Sequence, residues 1–431
     1  MSSALLILAL VTGGSAFHQD EVLAAQHREQ YPKEEWHRYR YFSSACVPPG
    51  EGRKDLEVAF KYMMPGLSLT PVMDAGMPVK IADTLYQIDT QALGWSKEVC
   101  DAVFARNQYD LHPNKLTIRM DWFLAEVSDC KRSDAYYLLV FGKVPKNRDE
   151  AMAILGADFD ETKRRGYVET KSGVSVSGTR RVENWPISRG QLWRTRDVRK
   201  LTLDADPIEQ LEGDFKHDGE EIIGGIEKHD TNSRTIGLWP VYFLSNGQGA
   251  IVDFAPTDLV EDHTRFHGNA EIIAPGSCVQ CHTLGLKFPS EDGFQALVDA
   301  GVQWKPKADV DPEAIKRFYF VNFNRDIRRY NEDFNALCTI ACGCDTTAAS
   351  AAFMRATNRY DVDVTPERVA WDIGIDVNEL SAALGWARSV GADLPARVSG
   401  LSAGLSVPRD AYEDGGCLAI QNIVENYQRK N

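Results

Sequence analysis

The chain has 431 residues, 43% of them hydrophobic and 26% charged, with a formal net charge of −14. Such a balance supplies enough apolar surface for a sizeable core and excludes a disordered or fibrous chain. The acidic charge argues against nucleic acid or an anionic membrane as the main partner, and favours a protein with a basic docking patch.

The chain opens MSSALLILALVTGGSAFHQDEV, with an unbroken apolar run from Ala4 to Val11. Gly14 and Ala16 place small residues at a cleavage site, so residues 1–16 read as a secretory signal peptide, although no Lys or Arg precedes the run. A buried N-terminal helix or strand is the alternative. The run is shorter than the roughly 20 apolar residues that span a bilayer. No other stretch comes close, so the mature chain is expected to lack a membrane span and to be periplasmic or otherwise exported.

Residues 18 to 45 look helical and charged, and Pro48, Pro49, Gly50 and Gly52 mark a loop after them. An amphipathic helix over 53–64 stops at Pro65-Gly66. DTLYQIDT alternates as a strand, SKEVCDAVFAR is a helix capped by Ser96, and KLTIRMDWFLAEV is a strand running into a helix. DAYYLLVFG and DEAMAILG are short helices, each closed by a glycine. From about 165 to 260 the pattern turns to strands, with GYVETKSGVSVSGTRRVENWP alternating, GEEIIGGIEKHD, TIGLWPVYFLSN and GAIVDFAP as consecutive strands, and Asn246-Gly247 as a hairpin signal. Residues 290 to 430 return to helices, one with Thr365 as N-cap and Pro366 at its first position. RVAWDIGIDVNELSAALGWA has the spacing of a helix-turn-helix and, with this charge, reads as two packed helices. The fold class is therefore α+β: an α-rich N-terminal unit (17–160), an antiparallel β-rich unit (161–260) and a helical cytochrome c-like unit (261–431).

The chemically specific stretch is APGSCVQCHTLGLKFP, with Cys278, Cys281 and His282 in the order C-x-x-C-H. Two thiols at this spacing reach one edge of a porphyrin, and the adjacent histidine supplies the proximal nitrogen to iron. The expected cofactor is one covalent haem c, a group attached outside the cytoplasm, in line with the export signal. Gly285 would let the backbone pass close to the ring. A carbonyl in LGLKFP would take a hydrogen bond from His282 Nδ1. Leu284, Leu286 and Phe288 would form an apolar wall, and Arg265 and Lys287 are candidates for the haem propionates.

Three rivals compete for the motif. A thioredoxin-like pair should open a helix after a strand in a βαβ unit, and this pair reads as lying between loops, with Pro275-Gly276-Ser277 as a turn that presents Cys278. A zinc or iron–sulfur site needs further ligands, which Cys338, Cys342 and Cys344 would have to supply. A Cys278–Cys281 disulfide would close a short, strained ring. The seven other cysteines suggest up to three disulfides in an oxidising compartment.

SCVQCH resembles the attachment site of single-haem c-type cytochromes. RYRYFSS, TLYQIDTQALGW, IRMDWFLAE, LWPVYFLSNGQGAIVDFAP and SVPRDAYED extend the likeness to a family of large, mostly uncharacterised bacterial proteins carrying one haem c site. Members of that pattern often read Asn-Arg-…-Glu-Arg-His in the middle unit. This chain has RRVENWP, so a ligand role for that histidine does not transfer.

The sixth ligand is open at this level. Met354 is the sole methionine after the motif, and His267, with His263, could approach from the N-terminal side. Met64-Pro65 and Met77-Pro78 resemble distal-loop pairs, and a vacant position is a further option. The expected function is electron transfer by an exported monohaem cytochrome within or onto a larger redox assembly. The alternatives are a haem enzyme or gas-binding sensor with an open sixth site, and a structural surface protein in which haem staples the fold.

Overall fold

The computed structural model describes residues 16–107, 109, 116–159, 166–198, 217–266, 268–288, 322–392 and 394–430. The apolar run at the start, His267 and the stretch DGFQALVDAG lie outside them. The architecture is α+β, as the patterns predict.

The first unit is built on a four-stranded sheet in the order β2-β3-β1-β4. β1 (Tyr39–Ser43) pairs antiparallel with β3 (Leu85–Asp89) and parallel with β4 (Thr117–Arg119), while β2 (Val79–Lys80) completes the edge. β1 falls where a continuous helix was expected over 18–45. The helix α1 covers Ala16–Arg28 only, and Pro32 separates it from the aromatic run YRYF, whose side chains suit a pleated surface. α2 (Glu51–Met63) stops before Pro65, and α3 (Lys97–Phe104) starts where the Ser96 hydroxyl accepts from Val99 N–H at 3.2 Å. β4 runs straight into α4 (Met120–Ser128), every residue of which is buried. α5 (Ala135–Phe141) and α6 (Arg148–Leu155) end at Gly142 and Gly156, with φ of 73° and 70°.

The middle unit is a five-stranded antiparallel meander, β5 (Gly166–Lys171), β6 (Thr179–Ile187), β7 (Gly190–Asp197), β8 (Gly219–His229) and β9 (Thr235–Asn246). β7 was not among the strands expected. Register places Val182, Thr195, Glu221 and Leu244 in one cross-strand row. Arg181, Arg196, Glu220 and Ser245 form the adjacent row, on the opposite face. Asn246 and Gly247 do turn the chain, but GAIVDFAP does not extend the meander as a full strand. It touches β9 at Ile251 and then forms β10 (Phe254–Ala255), which pairs with β11 (Ile272–Ile273).

Beyond α7 (Gly276–Cys281), the last unit holds α8 (Asn322–Cys342), α9 (Thr346–Asp361), α10 (Pro366–Ile373), α11 (Val377–Ser389) and α12 (Cys417–Lys430). The helix-turn-helix spacing resolves into α10 and α11, joined at Gly374. α8 packs on the meander because glycines clear its path. A Cβ at Gly225 would lie 2.9 Å from the Tyr330 ring, and one at Gly237 would lie 3.0 Å from the Asp333 carbonyl. α9 lies along α2, where Tyr62 meets Phe353 with ring centres 6.1 Å apart. Buried residues from Phe42 to Val424 form one contiguous cluster, so the three units share a core.

Candidate functional site

The CVQCH sequence lies in α7, directly after β11. The sequence pattern suggested a turn before Cys278 and loops on both sides. Instead Pro275 opens a short helix, and the Ser277 hydroxyl accepts from Ile273 N–H at 3.1 Å. The three-residue offset puts Cys278 and Cys281 on one helical face. His282 follows at the helix end, its N–H bonded to the Cys278 carbonyl at 2.9 Å.

His282 Nδ1 meets the Gly285 carbonyl at 3.1 Å, the acceptor expected within LGLKFP. A carbonyl only accepts, so Nδ1 carries the proton and Nε2 keeps its lone pair. Gly285 has φ 91°, and a Cβ there would lie 2.3 Å from Asn331 Oδ1. Asn331, on α8, accepts from Leu286 N–H at 2.7 Å and donates to the Leu286 carbonyl at 2.9 Å. The loop that orients the imidazole is thus clamped to a long helix.

Cys278, Cys281 and His282 all line one cleft, whose open space with its mouth is about 890 Å³. One wall is the meander face carrying Val182, Trp193, Thr195, Glu221 and Ile223. A second is the start of α8, with Phe323 and Ile327. Leu286 lines the motif side and is buried. Phe288 also lines it but is half exposed, and Leu284 stands out in solvent away from the cleft. Of the two flanking cations, Lys287 lines the mouth and Arg265 does not.

The polar floor was not foreseen. Glu221 Oε2 accepts from Arg180 Nη1 at 3.0 Å. Arg180 also forks onto Asp197 at 3.1 and 2.9 Å. The Thr195 hydroxyl donates to the Glu221 carbonyl and accepts its N–H, both at 3.1 Å. Glu221 Oε1 lies 3.8 Å from His282 Nε2. Burial pulls the Glu221 carboxyl upward, but Arg180 and His282 outweigh it and hold the group below the usual carboxylate range. Burial lowers His282 against the opposing pull of Glu221. No local signal marks Arg180, Glu221 or Asn331, since each is one polar residue in an ordinary strand or helix.

The thiols bear on the rival readings. Burial, reinforced by Glu221, pushes Cys278 far up and Cys281 up to about 11. A redox-active C-x-x-C needs the opposite, a depressed thiol. Cys338, Cys342 and Cys344 gather at the other end of α8, and all nine cysteines are free thiols. Among the described residues no three His, Cys, Asp or Glu side chains converge where a bare metal ion would sit.

The described sixth-ligand candidates lie elsewhere, and His267 is outside the described residues. Met354 sits on α9, partly buried against the core, and does not line the cleft. His263 is exposed and faces Glu261 at 3.7 Å. Met64 is fully buried in a turn of the first unit, and Met77 packs against the same core.

The donor set fits a covalent haem: two thiols on one helical turn, an imidazole whose Nε2 makes no hydrogen bond, and a largely apolar cleft with a polar floor in front of all three. Among the described residues no single helix is long and apolar enough to cross a membrane. No known family, curated protein or solved structure matches the chain.

Proposed function

We propose that the chain is an exported single-haem c-type cytochrome that passes electrons to or from a partner protein. The observation that carries this reading is the convergence of Cys278, Cys281 and the free Nε2 of His282 on one apolar cleft. Bound there, haem supplies reversible one-electron exchange at its iron. Cys278 and Cys281 would hold the ring edge through thioethers, and His282 would supply a nitrogen to its iron. Trp193, Ile223, Leu286, Phe323 and Ile327 exclude water, and Lys287 at the mouth suits a propionate. The net charge of −14 favours a partner with a basic patch.

The test is periplasmic expression with haem c maturation, followed by intact mass and potentiometric titration. The expected result is one haem adduct, lost on simultaneous substitution of Cys278→Ala and Cys281→Ala, with a reversible one-electron wave. An unmodified wild-type chain overturns the reading.

A further inference from the structure

We propose that Glu221 supplies the sixth ligand, a carboxylate oxygen facing the iron opposite His282. The inference rests on the haem reading above and goes beyond it to the distal side.

The geometry holds one oxygen and leaves the other. Thr195 pins the Glu221 backbone in the centre of the sheet, and Arg180, itself held by Asp197, takes Oε2. Oε1 is left facing Nε2 across 3.8 Å. That gap is too long for a hydrogen bond. It is close to the separation of about 4 Å between a nitrogen and an oxygen on opposite sides of one metal ion, each bound at about 2.0–2.2 Å.

The surroundings add a second argument. The Glu221 side chain is buried, keeps Arg180 on one oxygen, and turns its other oxygen into a largely apolar cleft, where it needs a cation. Among the described residues no conventional ligand is at hand, since Met354 and His263 do not line the cleft; residues 289–321 contain no His, Met or Cys, and His267 lies outside the described residues.

An anionic oxygen ligand stabilises ferric over ferrous iron, so its removal raises the reduction potential. The test compares wild-type holoprotein with Glu221→Gln and Glu221→Asp by intact mass, ferric optical and EPR spectra, and potential. Each form is expected to carry one haem. Glu221→Gln is expected to change the ferric spectra and raise the potential. Glu221→Asp keeps the charge but shortens the reach, and is expected to change the spectra as well. Ferric spectra and potential unchanged in both variants overturn the proposal. A spectral change in the Gln form alone also overturns it, since Glu221 then acts as a charge and not a ligand. Should the variants fail to mature, the wild-type ferric EPR spectrum decides: an iron–carboxylate signature supports the ligand, and a bis-histidine or histidine–methionine signature overturns it. Absence of haem from the wild type defeats the functional reading itself, and is told apart by mass.

Discussion

Lys228 is 2% exposed and donates to the Ser68 and Thr70 carbonyls at 2.8 and 3.0 Å. Burial, with Arg189 adding to it, pushes its pKa down to about 7. Between about 7 and the unfolded value near 10.5 the unfolded chain holds a proton that the fold does not. Stability therefore rises with pH across that window, and the full cost of charging Lys228 is felt below it. Each pH unit across that window is worth about 1.4 kcal/mol. Denaturant titrations of wild type and Lys228→Met at pH 6 and pH 10 test this. The difference should shift towards the wild type at the higher pH by a few kcal/mol on that scale, and a pH-independent difference contradicts it. Single residues were legible in the sequence only where their partners are neighbours. Cys278, Cys281 and His282 announce themselves because five consecutive positions carry the geometry. Glu221 does not, since a charged residue in an alternating strand looks the same facing solvent or iron.

Elements follow the same division. Ser96 and Thr365 were readable as caps because a cap bonds a backbone N–H three residues on, and both do. β1 and β7 were not readable, because a short strand is selected by the strands beside it as much as by its own residues. The contact that matters most for the site joins two elements far apart in sequence. Asn331 on α8 satisfies both backbone groups of Leu286, at 2.7 and 2.9 Å, just past His282. Asn331→Ala leaves those groups unpaired, at a cost of about 1–3 kcal/mol. Thermal melts should show the loss, and the yield of haem-bearing protein should fall because the Gly285 carbonyl is no longer held under Nδ1. An unaltered melting point and haem yield would show that α8 does not organise the loop.

Across the whole molecule, the first and last units are locked by buried charge. Arg119 forks onto Asp121 at 3.0 and 2.8 Å and reaches Asp372 at 3.0 Å. Arg368 binds Asp121 at 2.6 Å and Asp372 at 3.0 Å. Nearby, Arg132 bridges Glu126 and Glu413, and Glu413 also takes Tyr109 and Tyr360. IRMDWFLAE and SVPRDAYED therefore meet in one place, through Glu126, Arg132 and Glu413. Burial raises the Asp121 carboxyl, but Arg119 and Arg368 overwhelm it and hold it well below the usual range. Its contribution to stability is present above the unfolded carboxylate value and is lost as pH falls through the folded one. Asp121→Asn leaves two buried guanidinium groups to share the single carboxylate of Asp372 and should cost about 3–5 kcal/mol. Equilibrium unfolding at pH 7 checks this, and a loss below about 1 kcal/mol would mean that water already screens the network.

The sequence by itself determined the α+β class, most helix ends and the C-x-x-C-H donor set, because each is written in residues a few positions apart. Tertiary structure alone decided what those donors face. Strand register brought Glu221 and Arg180 to the cleft, glycines in the meander admitted α8, and α8 brought Asn331 to the histidine loop. These are contacts between residues 41 to more than 60 positions apart, and no local pattern encodes them.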